Sequence, residues 1–145
     1  MTPDALFQLT TPVAAAGWIS IIILSPYWKN YDKFVIGIIA VILAMVYTWM
    51  NVVNFDVSIF KNFSSLEGVM TLFQNKDLVV ACWVHILAFD LIGAVWIKQN
   101  SVKHGIKHIA LLPTFLFTYV FGPLGFLIYL LTRCIKTKLY FADNN

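Results

Sequence analysis

Twenty consecutive residues, Leu78 to Ile97 (LVVACWVHILAFDLIGAVWI), contain no Lys, Arg or Glu and a single Asp. A helix of about that length crosses the hydrocarbon core of a bilayer. Two ionisable side chains, His85 and Asp90, interrupt it. Each costs ~2.5–3.5 kcal/mol or more at the centre of a membrane helix, so such residues have a partner or a task. Asp90 is 13 residues after Asp77 and 8 before Lys98, deep in the stretch.

The rest of the chain agrees with a membrane location. Of 145 residues, 60% are hydrophobic and 12% charged, against about 25% charged in soluble domains. Too little polar surface is available to coat a water-soluble globule of this size. The net charge of +3 is spread along the chain and forms no nucleic-acid patch. Five Trp, six Tyr and twelve Phe suit interfacial belts or an aromatic-lined apolar site. Asp4 precedes the first apolar run and no Lys or Arg occurs before Lys29, so that run is expected to be a retained helix and not a cleaved signal.

Hydropathy predicts an all-α fold in one domain, residues 1–145, with four transmembrane helices near residues 5–24, 34–53, 78–97 and 109–132. Pro26 and the cluster Lys29–Lys33 close the first span; Asn51 and Asn54 close the second. Between spans two and three, Ser64 and Glu67 resemble a capping box. Leu66, Val69, Met70 and Phe73 follow on one helical face, which predicts a short interfacial amphipathic helix over Ser65–Gln74. Four spans put both termini on one side. Lys61, Lys76, Arg133, Lys136 and Lys138 then tie with Lys29, Lys33, Lys98, Lys103 and Lys107. The shorter connections of the second group weakly favour termini outside the cytosol. Cys82 and Cys134 are placed near the same face, where free thiols are expected over a disulfide.

His85 and Asp90 are five residues apart and project about 140° from one another on a helix. They are therefore two separate polar points and not an intrahelical pair. Trp83, seven residues before Asp90, shares its face. Both groups also have a plainer reading as polar glue between helices. If they border a cavity, a protonated carboxyl and a neutral imidazole would suit proton transfer. In span four, Phe121-Gly122-Pro123-Leu124-Gly125 predicts a kink or a non-helical turn, because proline lacks a backbone donor and glycine loosens the helix. Such a break in mid-membrane needs protein or a cavity beside it. His104 and His108 have i, i+4 spacing, but Gly105 between them and the adjacent Lys103 and Lys107 argue against a metal. No motif calls for a cofactor.

The string Trp83-Val84-His85-Ile86-Leu87-Ala88-Phe89-Asp90-Leu91, with Trp96 and Phe121-Gly122-Pro123-Leu124-Gly125, resembles the abscisic-acid-deficient-4-like family. Trp18 with Pro26, and Leu66-Glu67-Gly68-Val69, are similar to it as well. Plant members are linked to neoxanthin synthesis from violaxanthin. The resemblance implies a small four-helix membrane protein that acts on or binds a carotenoid. Opening an epoxide and removing a proton from a neighbouring carbon gives an allene with no net change in composition. Asp90 as the acid and His85 as the base would fit that isomerisation. Trp18, Trp83, Phe89, Trp96, Phe121, Gly122, Pro123 and Gly125 would line the apolar groove. The expected partners are an apolar lipid-like ligand and membrane lipids, with self-association left open. The absence of a plastid-type transit segment leads to the expectation of a bacterial inner-membrane protein. A non-catalytic carotenoid binder is the alternative, ahead of a small channel or transporter.

Overall fold

A computed structural model of the chain describes residues 1–138. All regular elements among the described residues are helical. They are α1 (Pro3–Leu24), α2 (Tyr31–Val53), α3 (Ser58–Asn62), α4 (Leu66–Leu72), α5 (Lys76–Lys103), α6 (His108–Phe121) and α7 (Pro123–Thr137).

Three of these helices, α1, α2 and α5, are long and apolar enough to cross a membrane. Local sequence sets their limits. The Thr2 hydroxyl accepts a hydrogen bond from the Ala5 N–H, and Pro3 takes the first turn of α1, where a missing N–H costs nothing. Asn75 caps α5 by accepting from the Asp77 N–H. Gly105, at φ +62°, turns the chain after α5. The apolar side chains outside the core, among them Ile19, Ile23, Ile38, Met45 and Val52, are exposed. Lipid is the solvent that such a surface suits.

α5 is the axis of the bundle and packs against α1, α2, α6 and α7. Its residues Val84, Leu91, Ala94 and Ile97 are fully buried. Gly17 lets α1 close on it, since a Cβ there would stand 2.9 Å from Leu91 Cδ2. The last turn of α1, Ser20–Leu24, widens to π geometry ahead of Pro26. Proline at position 26 cannot donate to the Ile22 carbonyl four residues back. His108 Nε2 fills that place at 2.9 Å, so its N–H is on Nε2, and its Nδ1 faces Lys98 Nζ at 3.1 Å.

The fourth predicted span is not one continuous helix. At Gly122 (φ +48°, ψ −94°) the chain reverses, and α6 and α7 form a helical hairpin. α6 leaves the Gly105 end of the bundle, with His108 at Ile22, and passes Tyr119 against Trp18 further down α1. α7 then climbs back along α5. Phe126 and Tyr129 pack on Trp96, Tyr129 and Arg133 donate to Asn100 Oδ1, and Lys136 reaches the Gly105 carbonyl. The hairpin tip lies beside Asp90, about halfway along α5. The apolar run 109–132 has the length of a span, but the backbone at Gly122 lies outside the region open to other residues. Pro123 then starts a new helix.

The three long helices and the hairpin put Pro3 and Thr137 at opposite ends of the bundle, where four spans would put them together. Reporters fused before Met1 and after Asn145 are expected on opposite sides of the membrane. Reporters on the same side would refute the hairpin. Cys82 and Cys134, both free, lie at opposite ends of α5 for the same reason, and not near one face.

The short helix before α5 runs over Leu66–Leu72. Its cap is Ser65, which accepts from the Gly68 N–H, while the Ser64 hydroxyl donates to the Lys61 carbonyl. The cap is thus one residue later than the sequence pattern suggests. Leu66, Met70 and Phe73 are largely exposed.

Candidate functional site

A hairpin that goes only half the length of α5 leaves the other half of α1 and α5 uncovered on that side. The result is a cavity of about 660 Å³ below the tip. Thr11, Ala14 and Ala15 of α1 form one wall. Trp83, His85, Ile86, Leu87, Phe89 and Asp90 of α5 form another. Tyr119, Val120, Phe121, Gly122 and Pro123 make the roof. Ala14 and Ala15 contribute room by being small, and Trp83, Phe89, Tyr119 and Phe121 contribute aromatic rings.

Asp90 is the only acidic side chain in this lining. It is partly exposed, and it makes no hydrogen bond or ion pair with a described residue. Its Oδ1 lies so near the tip that a Cβ on Gly122 would approach it to 2.8 Å. The carboxyl thus lies between the cavity and the start of α7, where Pro123 has no N–H and the Gly125 and Phe126 N–H groups donate to the Gly122 carbonyl.

His85 lines the same cavity from another side of α5. Its ring packs on Phe89 (centroids 4.6 Å apart) and Tyr47 (5.4 Å). It also borders a second, smaller pocket of about 260 Å³ beneath the short helices, with Tyr47, Asn51, Cys82, Phe63 and Phe73. The two polar points surround the apolar space and do not face one another as a dyad.

The predicted groove residues divide by location. Trp83, His85, Phe89, Asp90, Phe121, Gly122 and Pro123 meet at the cavity. Trp18 does not line it. Trp18 is buried and sits edge-on to Tyr119, supporting the roof from α1. Trp96 is away from it, against Phe126 and Tyr129, and borders a groove with Asp32 and Gln99. Gly125 serves the hairpin, facing the Thr118 side chain and backbone and the Thr114 carbonyl. Thr11, Ala14, Ala15, Ile86, Leu87, Tyr119 and Val120 also line it, and no motif marks them. The small run Ala14–Ala16 is the one sequence signal, and it covers the two alanines alone.

Among the described residues no three His, Cys, Asp or Glu side chains are grouped as metal ligands. His108 is engaged with Lys98 and the Ile22 carbonyl.

The model of the family described as ABA DEFICIENT 4-like matches residues 5–129, which cover the cavity, the outgoing arm of the hairpin and the first half of its returning arm. The chain belongs to the ABA DEFICIENT 4-like family. The match agrees with the resemblance carried by the span-three motif and Phe121–Gly125, and it suggests a role connected with carotenoids. No curated protein and no solved structure matches the chain.

Proposed function

We propose that this ABA DEFICIENT 4-like protein holds a carotenoid or related isoprenoid in the cavity below the hairpin tip and isomerises it. The observation that carries the proposal is Asp90: a lone carboxyl, without a protein partner among the described residues, at the roof of an aromatic-lined apolar space. Keeping a carboxyl at this depth costs free energy that packing alone does not explain. An apolar pocket with one or two placed polar groups is the common form of a small-molecule site.

In the reaction, Asp90 protonates the oxygen of an epoxide and the C–O bond opens. His85 takes a proton from the neighbouring carbon, and the electrons of that C–H bond form the new double bond of the allene. Atoms and charge balance, and no oxidant or reductant is needed. The wide separation of the two groups around α5 favours a second reading, a binder that does no chemistry.

Expression in a host making several carotenoids, followed by pigment analysis with and without the protein, tests both. The expected result is a changed pigment profile and coloured purified protein. An unchanged profile with coloured protein supports the binder, and colourless protein with an unchanged profile removes both readings.

A further inference from the structure

The cavity has a direction. Its roof is the hairpin tip, and above the tip the space beside α1 and α5 is filled by α6 and α7. No residue between Asn54 and Asn75, the segment that contains α3 and α4, lines it, so those short helices do not close its lower end. Trp83, Phe89 and Phe121 are 38%, 60% and 57% exposed while forming its wall. Such rings at an open edge suit lipid chains and not water.

The charge distribution says which leaflet this is. Because α7 returns to the Gly105 end, Arg133, Lys136 and Lys138 join Lys29, Lys33, Lys98, Lys103 and Lys107 there. The hydrogen bond between Gln99 and Asp32 places the α1–α2 connection at the same end. Five against five becomes eight against two, with only Lys61 and Lys76 at the Pro3 end. The positive-inside rule makes the eight-cation end cytosolic.

We infer that the Asp90 cavity opens sideways to the non-cytosolic leaflet alone and takes its isoprenoid from that leaflet, on the side of the protein away from the basic rim. This rests on the functional reading above. The ligand is then a membrane-resident lipid with its chain among the acyl tails. Its oxygen-bearing part meets Asp90 at mid-depth.

A single-cysteine variant, Ala15→Cys with Cys82→Ser and Cys134→Ser, carries a bimane dye on the cavity wall. It is reconstituted in vesicles, sorted by access of protease to a C-terminal tag. Doxyl-labelled phosphatidylcholine is then added to the outer leaflet only. Vesicles with the tag inside should lose at least half of the dye emission, and vesicles with the tag outside should lose little. Equal quenching in the two populations, or the reverse pattern, overturns the inference. Fusion of alkaline phosphatase after Asn145 checks the sidedness in cells. An inactive fusion is expected, and an active one assigns the cavity to the cytosolic leaflet and overturns the inference. A carotenoid added to the vesicles should protect the dye. Sided quenching without protection would leave the leaflet assignment standing and remove the carotenoid.

Discussion

Asp90→Asn is expected to abolish pigment conversion while pigment binding persists. The amide has the shape of the carboxyl and keeps the roof of the cavity filled, but it has no acidic proton to give. General acid catalysis contributes roughly 10²–10⁴-fold, so conversion should fall by at least about 100-fold. Coloured protein purified from the same host would show that the cavity remains intact. His85→Ala is the companion variant. It should reduce conversion and leave Asp90 in place, because the two side chains do not touch and project from different sides of α5. Full conversion by the Asn variant would sink the role given to Asp90. Loss of colour in both variants would point to binding as the function of this pair.

Gly125→Leu should prevent the hairpin from closing and strongly reduce the yield of folded protein. A Cβ at position 125 would overlap the Thr118 side chain and backbone N, and would stand 2.6 Å from the Thr114 carbonyl. Backbone cannot move aside as a flexible side chain can. Even Gly125→Ala should cost about 3 kcal/mol or more, above the usual overpacking range of 1–3. Gly93→Ala on α5 is the control, because nothing lies within 4 Å of a Cβ there. Helix propensity favours that change slightly. Thermal unfolding in detergent, together with recovery as a single species on gel filtration, reads both variants. If Gly125→Ala and Gly93→Ala melt alike, the close approach of α6 and α7 is wrong.

The difference between these glycines also shows what the sequence discloses and what it hides. Hydropathy finds α1, α2 and α5 within a few residues, because twenty or more apolar residues have few alternatives to a long helix. It also finds the break at Gly122-Pro123, since both residues disfavour a continuous helix. It does not tell a kink from a reversal. That choice depends on contacts distant in sequence: Tyr129 and Arg133 on Asn100, and His108 on the Ile22 carbonyl. Asn100 and Arg133 read singly as ordinary polar residues near a helix end. Trp96 lies outside the cavity lining for a related reason. It shares the span-three motif, but the return of α7 places Phe126 and Tyr129 on it and separates it from the cavity. Asp90 stands out in the sequence because an acid in an apolar run has no inexpensive explanation.

Half-depth insertion of the α6–α7 hairpin gives the molecule unequal cross-sections. At the Gly105 end five helices stand side by side, and at the level of Thr11 and Trp83 α1, α2 and α5 alone remain among the described long helices. A body of that profile is a wedge, displacing more lipid from one monolayer than from the other. The missing volume must be made up by tails bending inward or by a bound guest. A guest bound as proposed would straighten the sides of the wedge and so tie the filling of the site to the packing stress of the surrounding membrane.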